Sequence, residues 1–286
     1  MAVSQARSYA FIPDNIYKPV NETSMESIKN SRQVFHDCYL VSSLEALSRS
    51  AKGAEILQNN IKQQINATQK RELYNELYNT PEYIKENNLT ASNSELSEEF
   101  SCTFKDIDGA VKTYKVTSED LKKYQTVSKK QTNPIVRTCE IAMSKLIEEH
   151  PSKKAFINRV WKMFIQKKFE YNFPSRFMEM FTGKKPISIG EKSLNLTMKK
   201  YKPEVYELLS RMAETPGNNY SFVAGSGISF DKRIKSFHCF TITNVNPDNK
   251  SVTLKNKRTN EDLNLSFDEF LKKFKYITGY FNETLE

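Results

Sequence analysis

The sequence predicts an α+β chain, helical in its first part and rich in antiparallel strands in its second. Three observations carry this. Apolar residues recur at helical spacing from Cys38 onward and again over residues 134–149. A two-residue turn signal, Asp108-Gly109, divides alternating segments. Short alternating runs separated by turn residues fill residues 220–266. With 286 residues, 38% of them hydrophobic and 12% aromatic, one large domain or two lobes can each bury a core.

Residues 1–32 form a polar approach segment with Pro13 and Pro19. Leu40, Leu44 and Leu47, then Ile56, Leu57 and Ile61, predict helix from about Cys38 to residue 65, with Asp37 as N-cap or first-turn acid and Ser31 capping a preceding turn. Residues 66–98 are polar and Asn-rich, expected as a helix with a loop. FSCTFKDI and AVKTYKV make the hairpin, and PIVRTCEIAMSKLIEE makes a helix opened by Pro134. A basic helical connector carries Trp161. Beyond the break at Gly183 and Pro186 come a helix near 203–214 and the strands YSFVAGS, SFHCFTITNV, SVTLKN and NLSF. The expected organisation is a first lobe over 33–150 and a second over 151–286.

The formal net charge is +9, but lysines are interleaved with acids along the whole chain, which reads as a solvated surface and excludes nucleic acid as the expected partner. No run approaches the ~18 apolar residues of a membrane span, and MAVSQARSYAFIPDN lacks the apolar core of a secretory signal. The expectation is a cytoplasmic protein with no membrane partner. Cys38, Cys102, Cys139 and Cys239 show neither a disulfide framework nor metal-ligand spacing, so reduced thiols and no metal site are expected.

The chemistry is confined to few residues. Cys38 lies at the first turn of a helix, where free N–H groups and the macrodipole favour the thiolate. A thiolate nucleophile that releases an amine needs a proton carrier, and the chain has three histidines. His36 lines the approach turn and, with Asp37, belongs to the rim of the site. His150 follows two acids at a helix end and reads as a cap. His238 lies in an alternating strand, a rigid element able to present a base, and alternation puts Cys239 on the opposite face as a structural residue. Asn256, at the end of the next strand, is placed to orient the imidazole if the NPDN turn folds the two strands together.

QVFHDCYLVSSLEAL resembles the active-site segment of calpain-like cysteine proteases, whose pattern is a glutamine, then Gly-Asp-Cys-Trp-Leu and a buried helix. Asp37, Cys38, Tyr39 and Leu40 carry the match. CTFKDIDGAVKTYKVTSEDL resembles the family's first-lobe hairpin, CEIAMSKL its Glu-Lys-Ala-Tyr-Ala-Lys-Leu helix, and FMEMFTGKKP its Asp-Phe-Thr-Gly-Gly segment. HCFTITNV is similar to the His-Ala-Tyr-(Ser/Thr)-Val strand, LKN to Leu-Arg-Asn, and LSFDEFLKKFKYI to the closing Ser-Phe-Asp-Phe-Leu helix. The matches keep the family's order over about residues 33–277.

The resemblance implies a papain-like, two-lobed catalytic core with a cleft between the lobes, and a thiol endopeptidase acting on protein or peptide substrates through an acyl-enzyme. It implies Cys38 as nucleophile, His238 as base and then acid, Asn256 as orienter, and Gln33 with the Cys38 N–H as the oxyanion hole. Gln33 stands one residue closer to Cys38 than in the family, and His36 replaces a glycine. Lys257-Arg258 replaces the Pro-Trp that shields the His–Asn pair, which predicts a wetter pair. No cofactor is required on this reading. Family members commonly use calcium, but no acidic ligands carry over and no EF-hand loop is present.

Two alternatives stay open: another acyl transfer by the same triad (deamidation, transglutamination or removal of a ubiquitin-like tag), and a catalytically silent calpain-like module that binds a partner. The oligomeric state is unassigned. Lys- and Asn-rich usage, a free-standing core and no signal peptide would suit a bacterial effector delivered into a host cell by a dedicated secretion system.

Overall fold

The computed structural model describes residues 17–33, 38–64, 99–105, 109–149, 174–191, 193, 195 and 197–285. His36, Asp37, His150, Trp161, the 66–98 segment and the basic connector lie outside the described residues.

The chain is α+β, with two antiparallel sheets. It enters through β1 (Tyr17–Pro19) and α1 (Glu22–Asn30). The Asn21 side chain caps α1, accepting from the Ser24 N–H at 2.9 Å. Ser31, expected to cap a turn, instead stands at the C-terminal end of this helix.

The helix expected from Cys38 to residue 65 is two helices and a strand: α2 (Cys38–Arg49), α3 (Ala51–Asn60) and β2 (Ile61–Gln64). Ser50 makes the break, because its hydroxyl accepts from the Gly53 N–H at 3.1 Å and so starts a new helix. Every residue of α2 from Tyr39 to Ser48 is buried, as expected of a helix covered on all sides.

The hairpin forms as predicted, β3 (Phe100–Lys105) pairing with β4 (Val111–Val116), Cys102 opposite Tyr114. With β1 and β2 it completes a four-stranded sheet in the order β1-β2-β3-β4. Short helices α4 (Ser118–Lys123) and α5 (Gln125–Lys130) follow, then α6 (Pro134–Glu149). Asn133 starts α6, its side-chain oxygen accepting from the N–H groups of Ile135 and Val136, both at 3.0 Å.

After α7 (Pro174–Thr182) and β5 (Ile187–Ile189) comes α8 (Lys202–Glu214). The strands β6 (Tyr220–Ser226), β7 (Cys239–Asn246), β8 (Ser251–Asn256) and β9 (Glu261–Ser266) follow, then α9 (Phe267–Lys273) and β10 (Phe274–Phe281). They form a six-stranded sheet in the order β5-β10-β6-β7-β8-β9. The sequence reading ended at the closing helix and did not foresee β10, which lies between β5 and β6.

Two large apolar cores result among the described residues, with a small third cluster of Val116, Val127 and Ile141. The first gathers α2, α6, α7 and the four-stranded sheet, and includes Val223, Cys239 and Tyr280 from one face of the larger sheet. The second lies on that sheet's other face, under α8 and α9, around Phe222, Phe240 and Phe274. A fully buried Leu or Phe contributes about 2–3 kcal/mol by removal from water. α7 falls in the 151–286 lobe by sequence, yet Phe177 and Phe181 pack into the first core, Phe181 against Phe104 at 5.8 Å between ring centroids. The seam that matters is therefore the contact of α2 with β6 and β7.

No described helix is long and apolar enough to cross a membrane.

Candidate active site

At this seam α2 begins. Cys38 is its first residue, so its thiol lies beside the N–H groups that the helix leaves unbonded. The thiol is half-buried and hydrogen-bonded both to the Cys239 thiol and to the His238 ring.

His238 does not lie inside a strand. It immediately precedes β7 and is fixed by its backbone: its N–H donates to Ser226 Oγ at 2.9 Å, and its carbonyl accepts from the Ser226 N–H at 2.8 Å. The preceding residue, Phe237, has φ of 53°, a left-handed conformation costly for a side chain with a Cβ, and its N–H is held by the Gly227 carbonyl at 3.1 Å. The expected alternation holds: Cys239 packs into the first core, while His238 lies against Phe240, which packs into the second. Cys239 is nonetheless a neighbour of the Cys38 thiol, as His238 is.

The ring of His238 is buried and stands edge-on to Phe240, 4.9 Å between centroids. Its Nε2 meets Asn256 Oδ1 at 3.1 Å. Since an amide oxygen only accepts, Nε2 carries the proton, and Nδ1 is the nitrogen left for Cys38. Asn256 ends β8, which pairs with β7 through Val245 opposite Val252. Its Oδ1 also accepts from the Arg258 N–H at 3.1 Å, which fixes the amide orientation. The sequence-predicted trio thus converges: Cys38 from the first core's helix, His238 and Asn256 from adjoining ends of the sheet.

These surroundings hold the Cys38 thiol well below the usual thiol range. The hydrogen bond from Cys239 is the largest cause. Burial opposes it, and the hydrogen bond and charge of His238 and the Cys239 backbone add to the lowering. Cys239 moves the other way, pushed well up by burial and then by its neighbour Cys38. The Tyr276 hydroxyl contacts Cys239 Sγ at 3.0 Å. Tyr276 can lie there because Gly225 faces it across the β6–β10 pair, where a Cβ would overlap the ring.

Lys257 corrects the expectation of a wetter His–Asn pair. Its side chain is fully buried, and His238 is only 3% and Asn256 9% exposed. Lys257 Nζ donates to the carbonyls of Lys29 at 2.8 Å and Ile28 at 3.3 Å, satisfying carbonyls at the C-terminal end of α1, and lies 3.5 Å from Glu45 Oε2. Glu45, buried within α2, also accepts from Thr241 Oγ1 at 2.9 Å and pairs with Arg49 at 2.7 Å. Burial lowers the Lys257 ammonium from its ordinary value, with Glu45 opposing. A cation therefore seals the region beyond Asn256 from below, by binding α1 and α2 together.

Gln33 is buried, and its N–H donates to the Lys257 carbonyl at 2.8 Å, which ties the approach to α2 to the residue after Asn256. The rim residues His36 and Asp37 lie outside the described residues.

Among the described residues no group of three or more His, Cys, Asp or Glu side chains could hold a metal ion. Tyr276 and Glu45 were not singled out by the sequence, which read Cys239 as structural and Lys257 as leaving the His–Asn pair wetter. A strand end next to the chosen histidine was the available signal for Cys239, whereas nothing local marks Lys257 as buried. Neither a protein-family model nor a curated protein matches this chain.

Proposed function

We propose that the chain is a calpain-like thiol endopeptidase with a papain-like, two-lobed core. One arrangement supports this reading: a thiol at a helix N-terminus, hydrogen-bonded to a buried imidazole whose Nε2 is held 3.1 Å from an asparagine oxygen. The nucleophile comes from one packed half and its base and orienter from the other, as a substrate-binding cleft requires.

The Cys38 thiolate attacks the scissile carbonyl, and the protonated His238 gives its proton to the departing amine. His238 then takes a proton from water, which hydrolyses the thioester. Asn256 holds the imidazole in one plane and one tautomer throughout. The Cys38 N–H, unpaired within the helix, and the Gln33 amide are assigned to the oxyanion of the tetrahedral intermediate.

The test is a fluorogenic peptide library assayed with and without an added amine, paired with labelling by a peptide-epoxide thiol probe. Hydrolysis without the amine and selective labelling of Cys38 are expected. Product formed only with the amine would replace hydrolysis by acyl transfer, and a Cys38 no more reactive than Cys102 would leave a silent module.

A further inference from the structure

Cys239 is unused in the chemistry above, yet it packs beside Cys38 at the start of α2, where its carbonyl accepts from Ser42. Cys38 is half-buried while Cys239 is only 2% exposed, so a small oxidant from solvent meets Cys38 first. The two sulfurs cannot drift apart easily. The Ser42 hydroxyl, one turn into α2, donates to the Cys239 carbonyl at 3.1 Å, and the Thr241 hydroxyl is hydrogen-bonded to the Ser42 carbonyl at 3.1 Å. The Tyr276 hydroxyl contacts Cys239 Sγ as well, at 3.0 Å.

We propose that Cys239 is a resolving cysteine: on exposure to a hydroperoxide, Cys38 and Cys239 join in a reversible disulfide that closes the site. This rests on the reading of Cys38 as the nucleophile.

In the first step the Cys38 thiolate attacks hydrogen peroxide. The O–O bond breaks, an S–O bond forms, sulfur loses two electrons, and hydroxide departs. In the second step Cys239 sulfur attacks the sulfenic sulfur. The S–S bond forms, the S–O bond breaks, and the hydroxide leaves as water with the Cys239 proton. Loss of the Cys38 charge in the first step removes one of the causes that hold the Cys239 proton on, so the second thiol becomes a better nucleophile once it is needed. A dithiol reverses the bond by exchange. Without a neighbouring thiol, excess peroxide carries a sulfenic acid on to sulfinic acid, which dithiothreitol does not reduce.

The experiment treats the full chain with excess hydrogen peroxide, maps its cysteine peptides by mass spectrometry, and measures peptide hydrolysis before oxidation, after it and after dithiothreitol. Expected are a cross-linked Cys38–Cys239 peptide, a fall in rate of about tenfold or more, and recovery of most of it. Cys239→Ala, and Cys239→Ser as a second variant, each compared with its own starting rate, should lose activity without recovery. Cys38 found as sulfinic acid with no cross-link, or recovery in the variants equal to that of the unaltered chain, would overturn the proposal. The mapping needs no turnover. A cross-link in a protein that hydrolyses no peptide upholds the thiol pair and refutes the protease reading alone.

Discussion

Two pairs of thiols face each other in this molecule, and they differ in nearly everything that governs sulfur chemistry. Cys102 on β3 and Cys139 on α6 lie 3.9 Å apart with both side chains fully buried. Burial pushes the Cys139 thiol well above its ordinary range, and Cys102 adds to the effect. They behave as small apolar residues. Cys38 and Cys239 are neighbours too, but one of them sits at a helix terminus against an imidazole. The lesson is that proximity of two sulfurs decides nothing by itself; the dipole, the hydrogen-bond donor and the path to solvent decide which thiol reacts.

The contrast can be tested by substitution. Cys38→Ala should lower kcat/KM by about 10⁴-fold or more, because the covalent step disappears. Cys139→Ala should leave the rate unchanged while lowering stability by about 1–2 kcal/mol, read from denaturant unfolding. A comparable loss of rate from both would mean the pairs are not distinct.

Lys257→Met comes next. It leaves Glu45 to Arg49 and Thr241, but strips the donor from the Ile28 and Lys29 carbonyls. A loss of about 2–3 kcal/mol is expected. Unchanged unfolding would show that the cation does not fasten α1 and α2 behind the reactive pair.

Asn256→Ala should lower kcat by about 10- to 100-fold with KM nearly constant, since an orienter acts on proton transfer and not on substrate contacts. A change confined to KM would argue against that role.

The smallest effect separates the pairs by pH. The folded Cys38 value lies below the unfolded thiol value of about 8.5. Between the two, the unfolded chain binds the extra proton, so this group's stabilisation grows as pH rises and is complete above the unfolded value. It is lost as pH falls through the folded value. Cys139 is raised, so its contribution is complete below about pH 8.5 and declines as pH rises above it. Unfolding of Cys38→Ala and Cys139→Ala across pH should show stability differences of opposite slope. Parallel curves would erase the distinction.

Much of the site could be read in the chain because its signals are local. The apolar spacing after Cys38, the turn between β7 and β8 and the position of Asn256 at a strand end depend on neighbours within a few residues. β10 was hidden because its apolar run follows the capped helix α9 without a break, and helix and strand are alike over so short a stretch. Residues 34–37, between Gln33 and Cys38, lie outside the described residues.

Sequence patterns established that a helix begins at Cys38 and that Asn256 ends the strand after the one beside His238, since capping, periodicity and turns are short-range effects. Only the packing of α2 on the sheet decided the rest. It put Cys239 beside Cys38, with the Ser42 hydroxyl on its carbonyl, and it buried Lys257 among carbonyls more than 220 positions away. Both follow from desolvation and contact between distant segments, quantities that no local pattern of residues encodes.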